Sequence, residues 1–583
     1  MINNTAAGLK TQIEEEVQQY LTEVVQVSDS HEYSQPKLVR RISLFENHIY
    51  PNGKIDKQGN YKFWFDVITS PIDSEVKNVD FDTKNIEAYS PRKNDELPCL
   101  IVNLRLKEFL RETGQAEEIN SAIEEGSGWG NVVWKKTKEG YERVDLRNFY
   151  VINQTAFSLN QSPVIERHQF SQSDLRAKLG KWENVESALE ECKSDTYKTE
   201  IQSQAKNTTV PFYDVFERNG EVSVKDLKET KKQEVSDGDE NKYVFAKVIS
   251  IGKSTATGVA ISYIMFAEEM KGKDNSDIYE EFHRSRYKGR WWREGLYELL
   301  FDIQVRANQI GNQIALGLEF ASKKIARTQD RLIQQNVIND MKNGDVIKST
   351  DLQFLDMRMD GFDQLANDWN RLMELRNEIA NSREIVQGIT PASGTPLGTS
   401  QLLNTNAGKL FDFIREKLAI PFGNIFEKWQ VPRLIDDIKG QDILRLTGDS
   451  DMMKRLQEII VEDWYVSNLL AIGPHAPEEA VIFKDLKLQE LSSRPQLLME
   501  GFQKLFENFK PHVSVVITGE QINMEAELLS LQGFVALEQD PIRRTALIEM
   551  MMKKKGIDAG SLPKSPPLPQ PGMQLGLQGM KTA

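Results

Sequence analysis

Apolar residues recur at helical spacing near the start of the chain. Leu9, Ile13, Val17, Leu21 and Val24 lie on one helical face, with Glu14, Glu15 and Glu16 beside them. This pattern predicts an amphipathic first helix. Three longer helices are predicted further on by steps of three and four residues, over about 294–320, 362–379 and 403–429. Pro421 lies inside the last of these and predicts a kink.

Between these helices the pattern favours strands. Aromatic and β-branched runs separated by turn residues occur at 61–69, 130–136 and 148–152, and two further runs flank Gly252. Helical insertions are predicted at about 73–90 and 99–123, a charged helical region at 172–206 and a loop at 222–243. HVSVVITGE at 512–520 reads as another strand, and a helical finish is predicted to about 556. Together these elements predict an α+β protein.

Composition excludes several classes of protein. The net charge of −14 is unlike that of a general nucleic-acid coat, although local basic patches remain compatible with it. Cys99 and Cys192 are far apart, which excludes a disulfide framework and a cysteine zinc site. The first 25 residues lack a signal-peptide pattern, and no run of eighteen apolar residues occurs. We therefore expect a soluble protein made in a reducing compartment, without membrane insertion.

Sequence motifs for catalysis are incomplete. GKST at 252–255 resembles the end of a phosphate-binding loop, but position 247 is lysine rather than glycine, and a strand pattern follows. GSGWG at 126–130 leads into alternating residues rather than a helix, so we interpret it as a hairpin or close-packing turn. The six histidines show no metal-ligand spacing. We expect no catalytic residue, no metal and no cofactor.

The stretch QGITPASGTPLGTSQ at 387–401 interrupts the helical region without a single charge. A loop of this length inside a compact domain is usually functional or disordered. Both interpretations stay open on the residues alone. Thr399 or Ser400 is expected to cap the helix that follows.

One longer segment is more specific. RSRYKGRWWREGLYELLFDIQVRANQIGNQIALGLEF at 284–320 places a basic, glycine-containing stretch before a helix that carries Gln304, Asn308 and Asn312 at four-residue steps. A small insertion, a returning helix, the flexible loop and a long kinked helix follow. This succession resembles the portal proteins of tailed double-stranded DNA bacteriophages. RNFYVINQTAFSLNQSPVIERHQFSQSDLRAKLG is similar to a portal wing segment.

The resemblance implies a portal fold with a β-rich wing, a helical stem, a small clip and a helical crown, assembled as a ring. It divides the chain into an N-terminal region and wing, first stem helix, clip, second stem helix, tunnel loop, long kinked wing helix, wing return, crown helices and disordered tail. The corresponding ranges are 1–290, 291–320, 321–360, 361–386, 387–400, 401–435, 436–520, 521–556 and 557–583.

It also implies roles for three groups of residues. The tunnel loop facing the DNA channel comprises Gly388, Thr390, Pro391, Ser393, Gly394, Thr395, Pro396, Gly398 and Thr399. The clip residues for DNA or a partner comprise Lys323, Lys324, Arg327, Arg331, Lys342 and Lys348. The stem signature comprises Arg290, Gly295, Gln304, Asn308 and Asn312. Any single clip residue is as readily explained as part of a solvated helix face. Gly295, Gly311 and Gly317 are expected inside the first stem helix, where close helix approach or a bend would compensate for their cost.

The expected function is that of a dodecameric portal at a unique capsid vertex, assembled in the host cytoplasm and retained in the virion. Genomic double-stranded DNA would pass through its channel during packaging and ejection. Its partners would be the major capsid protein, the terminase and then head–tail connector and tail proteins. The alternatives are a terminase-type packaging ATPase or nuclease, which needs a complete phosphate loop or a metal cluster, and a helical adaptor unrelated to DNA.

Overall fold

The structure is a computed structural model that describes the following parts of the chain. They are residues 2–3, 7–28, 31–55, 59–79, 86–90, 95–138, 140–192, 212–254, 258–272, 274–322, 325–327, 353–355, 361–380, 397–437, 477–493, 511–515 and 531–535, with isolated positions between 457 and 468 and at 509, 544, 547–548 and 551. The chain divides into two compact units, Met1–Ile517 and Thr518–Ala583. In the second unit, residues 531–535 are helical. Everything below concerns the first unit.

The first unit mixes helices and sheets, which confirms the α+β class. Its helices are α1 Gly8–Thr22, α2 Gln35–Glu46, α3 Thr69–Val79, α4 Glu96–Glu112, α5 Gln115–Trp129, α6 Gln172–Arg176, α7 Val185–Glu191, α8 Val224–Thr230, α9 Leu296–Leu299, α10 Phe301–Ser322, α11 Phe362–Ile379, α12 Leu397–Ile425, α13 Val431–Asp437 and α14 Pro477–Ser493. Its strands are β1 Val25–Ser28, β2 His31–Tyr33, β3 Ile86–Tyr89, β4 Asn131–Thr137, β5 Gly140–Arg143, β6 Phe149–Val151, β7 Val164–Ser171, β8 Phe212–Ser223, β9 Tyr243–Ser254, β10 Val259–Glu269, β11 Tyr279–His283, β12 Ile325–Arg327, β13 Gln353–Leu355 and β14 His512–Val515. None of the described helices is both long enough and apolar enough to cross a bilayer.

A five-stranded antiparallel sheet in the order β10-β9-β8-β7-β6 forms the largest β element. Alternate side chains point to opposite faces of a strand, so each face can have its own core. On β8, Phe216 faces α1, whose Leu9 and Ile13 are fully buried. Val215 faces the opposite side, where Leu175 and Ala188 cover the sheet. The amphipathic first helix is therefore confirmed, with one face packed on the sheet, although Leu21 and Val24 remain exposed.

A second, three-stranded sheet in the order β11-β4-β5 packs against the long helix α12. Trp134 on β4 packs against Phe422 of α12, with ring centroids 4.9 Å apart. Helix α12 contains Pro421, continues into a π-helical turn over Phe426–Gln430 and then into α13. An inserted π turn and an internal proline are both recognised causes of helix bending.

Helices α10 and α11 correspond to the two predicted stem helices, and we call them the stem pair. They pack against each other and are linked by the ion pair between Arg306 and Asp368 at 2.7 Å. Strands β12 and β13, which lie between the two helices in the sequence, pair antiparallel. None of the residues of α11 is buried. Trp369, Met373 and Ile379 on its apolar face pack against the core but are only partly buried.

Several sequence predictions of local structure were wrong, for identifiable reasons. Residues 86–89, predicted as helix, form β3 because they pair with β14 more than 400 residues away. The glycines of 126–130 do not form a hairpin. They lie in the last turn of α5 and at its C-terminal end, where Gly130 has a φ of +88°. The close packing predicted there is present, since a Cβ at Gly130 would lie 2.4 Å from the Arg293 carbonyl oxygen. Residues 222–243 include the end of β8 and helix α8 rather than one loop.

The helix boundaries at the stem also differ from the prediction. The first stem helix starts at Leu296 and is interrupted at Leu300, so 291–295 precede it. Gly295 therefore lies outside the helix. A Cβ there would come within 2.2 Å of the Gly128 carbonyl oxygen, so two backbone segments meet at this glycine. The long helix α12 starts at Leu397, so Gly398 and Thr399 lie in its first turn and do not form part of a loop or cap it.

Candidate functional site

The amide side chains of the stem signature bind an extended segment of backbone. The carboxamide oxygens of Asn312, Asn308 and Gln304 accept hydrogen bonds from the backbone N–H groups of Phe63, Phe65 and Val67, at 2.8, 2.8 and 3.0 Å. The Gln304 and Asn312 amides donate in return to the carbonyl oxygens of Phe65 and Phe63, at 2.6 and 2.9 Å. We call this arrangement the amide ladder. It joins the segment 61–67 to α10.

The ladder depends on a match between two repeats. Four residues of an α-helix rise by about 6.0 Å. Two residues of extended chain advance by about 6.7 Å, after which the same edge of the backbone is presented again. Amides at four-residue steps can therefore meet alternate peptide groups of a strand. The strand predicted at 61–69 was wrong: Tyr61 makes only an isolated bridge to Ile55, residues 62–67 pair with no described strand, and α3 begins at Thr69. The hydrogen-bonding partner of this segment is a helix.

Small and aromatic residues complete the contact. A Cβ on Gly311 would lie 2.4 Å from the Phe65 ring, so this position on α10 requires glycine for the ring to pack. Phe65 in turn meets Trp369 of α11 edge-on, with centroids 5.9 Å apart. Gln304 and Asn308 are buried. The amide residues and the glycine of α10 thus form one packing unit that includes both stem helices.

Three arginines of the basic stretch before the stem, Arg284, Arg290 and Arg293, are held by internal partners. Arg284 forms a two-point ion pair with Glu75, at 2.6 and 2.7 Å, and the Glu75 side chain is fully buried. Arg290 binds Glu298 at 2.8 Å and lies over the ring of Tyr33 at 4.6 Å. Such paired, buried arginines anchor the polypeptide and are not free to bind phosphate.

Arg293 and two tryptophans fix the same stretch to the core. The Arg293 guanidinium donates to the carbonyl oxygen of Phe157 at 3.0 Å. The Trp291 indole donates to Glu281 at 2.7 Å, and the Trp292 indole donates to the backbone of Trp129 at 3.1 Å. Both tryptophans are fully buried. The sequence RWWRE therefore forms the anchored base from which α9 and α10 extend.

The structure describes some of the predicted site residues and leaves others outside the described parts of the chain. All five residues of the stem signature are described, and they lie at the base and along the buried side of the stem. Arg327 of the predicted clip is on β12. Lys323, Lys324, Arg331, Lys342 and Lys348 lie outside the described residues, as do the tunnel-loop residues from Gly388 to Pro396.

A buried charge network between the two sheets was missed by the sequence analysis. Lys135 on β4 lies 2.6 Å from Glu166 and 2.8 Å from Glu217, and Lys247 lies 2.7 Å from Glu217. His168 is 3.5 Å from each carboxylate. The alternation of Glu166 and His168 in IERHQF was the available signal, since residues two apart on a strand share a face.

This network has the residue types of a metal site but contains its own cations. The ligand atoms of Glu166, His168 and Glu217 lie within 4.8 Å of one another. Burial disfavours charge on Lys135, yet Glu217 and Glu166 keep its pKa above the ordinary value. Burial likewise opposes ionisation of Glu217, but the hydrogen bond from His168 and the two lysines hold its pKa well below the usual range. A metal ion would have to displace the Lys135 ammonium.

A cavity of about 400 Å³ lies between α5, β5 and α9. It contains Glu125, which pairs with Arg143 at 2.9 Å. Burial raises the pKa of Glu125 to about 8 despite the opposing effect of Arg143, and Asp145 and Glu118 act in the same direction as burial. This carboxyl group therefore titrates near neutral pH.

Comparison with known proteins gives no match: the chain fits no family model, and no curated protein sequence is similar to it.

Proposed function

We propose that this chain is a phage portal protein, which forms a dodecameric ring at one capsid vertex and conducts double-stranded DNA during packaging and ejection. It acts as a conduit and docking platform and catalyses no reaction. The terminase docks on it during packaging, and connector and tail proteins dock later. The portal fold with wing, stem, clip and crown belongs to the same proposal.

The observation that carries the proposal is the arrangement of the stem. An anchored basic segment leads into α10, a short pair of strands follows, and α11 returns to pack on α10. A long helix with an internal proline and a π turn then packs on the three-stranded sheet. This order agrees with the succession expected of a portal subunit from first stem helix to wing helix.

The surface of the stem pair supports lateral assembly. No residue of α11 is buried, and Leu375 on α11 and Val305 and Leu318 on α10 are between 39% and 53% exposed. Apolar residues on helices are normally covered by a neighbour. A ring of side-by-side stems would cover them with the stems of adjacent copies, which is the heterologous, cyclic arrangement open to identical chains.

The anchored basic segment refines the expected division of roles. Because Arg284, Arg290 and Arg293 bind internal partners, they hold the stem in position and leave contact with DNA to other surfaces. An acidic chain of net charge −14 suits a channel that DNA must traverse without adhering.

The experiment that tests the proposal is electron microscopy of the purified chain with native mass spectrometry. We expect closed rings of about twelve copies around a central channel, as cyclic assembly of a heterologous interface requires. Rings that admit double-stranded DNA and bind terminase would support the portal function. A stable small oligomer without a channel, or metal- or ATP-dependent cleavage of DNA, would contradict it.

A further inference from the structure

Helix α2 carries cations at its energetically unfavourable end. Lys37 lies in its first turn, and Lys37, Arg40 and Arg41 are exposed. The N-terminus of a helix disfavours positive charge, and like charges four residues apart repel. Lys37 has no ion-pair partner among the described residues. Arg41 lies 3.5 Å from Asp302, but both side chains are strongly exposed, so that pair stabilises little.

Helix α11 has the opposite arrangement. Glu374 and Glu378 are exposed in its last two turns, where the negative end of the helix disfavours carboxylates. They are four residues apart and repel each other. Neither side chain has an ion-pair partner in the described part of the chain. Lys37 and Arg41 share a pocket with Glu32, Glu298 and Asp302, and Arg376 lies in the last turn of α11, so the charges are partly balanced within one copy. Lys37, Glu374 and Glu378 nevertheless have no close ion pair with a described residue, so both helices can accept a partner of opposite charge.

The two charge groups lie at the same height along the stem. The Arg41 guanidinium is 4.1 Å from the centroid of the Phe301 ring, so the α2 cations lie beside the start of α10. Arg306 pairs with Asp368. The two stem helices run in opposite directions, because β12 directly follows α10 and pairs antiparallel with β13, which lies just before α11. Phe301 precedes Arg306 on α10 by about five residues, and Met373 follows Asp368 on α11 by about five. Because the helices are antiparallel, Phe301 and Met373 therefore lie at about the same height. Glu374 is at this height, and Glu378 is one turn beyond it.

We infer that Glu374 and Glu378 of one copy bind Lys37 and Arg41 of the next copy in the ring. The inference rests on the proposed function and names a contact that closes the ring. Rotation about an axis along the stem preserves height, so a neighbour presents its α11 carboxylates at the level of the α2 cations. The pairing removes both charge conflicts at once. The occupant of this surface is a second copy of the chain.

Cross-linking between differently tagged chains tests the contact directly. Lys37→Cys chains are mixed with Glu374→Cys chains, assembled and oxidised, so that any disulfide between these positions joins two copies. The native Cys99 and Cys192 are buried. We expect a cross-linked pair confirmed by mass spectrometry. Lys37→Cys mixed with Glu112→Cys, an exposed position on α4, serves as the control and should remain uncross-linked.

Charge reversal tests the contact in a second way, because it should weaken ring formation without lowering the stability of the single chain. Glu374→Lys removes a repulsion in the monomer, so its melting temperature should stay the same or rise. Ring formation should nevertheless weaken at least about tenfold, with the same loss for Lys37→Glu. Combining the two reversals should recover most of the loss. Glu112→Lys makes the same change at the end of another helix and should leave assembly unchanged.

The outcomes separate the inference from the proposed function. Rings that form normally but show no 37–374 cross-link, together with a Glu374→Lys chain that assembles as well as the unmodified one, would overturn the contact and leave the portal proposal standing. Failure of the unmodified chain to form any closed oligomer would overturn the portal proposal, and the contact with it.

Discussion

In the amide ladder, side-chain amides of a helix bind the backbone groups that a neighbouring strand would bind in a sheet. Asn308 is 5% exposed and supplies the only hydrogen bond that the N–H of Phe65 makes within the described chain. Asn308→Ala should leave this N–H without its acceptor, at a cost of about 1–3 kcal/mol in local opening. Hydrogen exchange in the peptide 61–68 should then accelerate about 5- to 150-fold.

A matched control is available on the other stem helix. Asn370 is exposed on α11, and Asn370→Ala should leave exchange in 61–68 unchanged. Equal protection of 61–68 in the Asn308→Ala and unmodified proteins would show that the ladder does not hold this segment.

Glu125 makes stability depend on pH near neutrality. Its pKa is about 8 in the folded chain and about 4.5 in the unfolded chain, so between these pH values the folded state binds a proton that the unfolded state has released. Stability supplied by this proton is fully present below about pH 4.5 and is lost as the pH rises through about 8. Arg143 reduces the effect without reversing its direction.

The variant Glu125→Gln stays neutral and should not show this loss. We expect the difference in melting temperature between Glu125→Gln and the unmodified protein to grow in favour of the variant between pH 5 and pH 8.5. Thermal unfolding at several pH values measures it. Parallel pH profiles for the two proteins would exclude Glu125 as the titrating group.

At the scale of whole elements, the two sheets are joined by charge rather than by apolar contact alone. Lys135 on β4 is bound by Glu166 on β7 and Glu217 on β8. Lys135→Met would leave two neighbouring carboxylates buried without their shared cation. Removing one partner of a buried ion pair typically costs about 3–5 kcal/mol. The variant should therefore melt at a lower temperature at neutral pH.

The same variant should acquire a response to zinc. With the ammonium gone, Glu166, His168 and Glu217 are spaced to share one cation. Added Zn²⁺ should raise the melting temperature of Lys135→Met and leave the unmodified protein unaffected. The double variant Lys135→Met with Glu166→Gln loses one carboxylate and should respond much less. An equal zinc response in the unmodified protein would refute the role given to Lys135.

Elements defined by their own periodicity could be predicted from the sequence. The buried face of α1, the strands β9 and β10, and the stem helices follow from local spacing, and Gln304, Asn308 and Asn312 stood out as amides at four-residue steps on one helix. Elements that form only by pairing with residues distant in the sequence could not be predicted. β3 depends on β14, and residues 61–67 depend on the amides of α10.

The start of the first stem helix also depends on contacts that the local sequence does not reveal. The resemblance places Trp291 and Trp292 in the first stem helix, whereas their indoles donate hydrogen bonds to Glu281 and Trp129 before the helix begins. The acidic partners of Arg284 and Arg290, which are Glu75 and Glu298, are likewise recognisable only in the folded chain.

At the scale of the whole molecule, the proposed channel depends on the segment before α12. Helix α12 starts at Leu397, so the part of the predicted tunnel loop that can be removed without shortening the helix ends at Pro396. The residues from Ile389 to Pro396 contain no charge. A chargeless loop can follow the surface of moving DNA without binding its phosphates tightly.

Deleting 389–396 should therefore leave assembly intact and impair DNA handling. The stem pair and the two larger sheets, which carry the contacts described above, are untouched by the deletion. We expect rings of unchanged mass by native mass spectrometry, and capsids that contain much less DNA or lose it after packaging. A deletion of equal length in 565–572 of the tail provides the control and should package normally. Full-length DNA retained in infectious particles after deletion of 389–396 would refute the tunnel-loop assignment while leaving the ring itself in place.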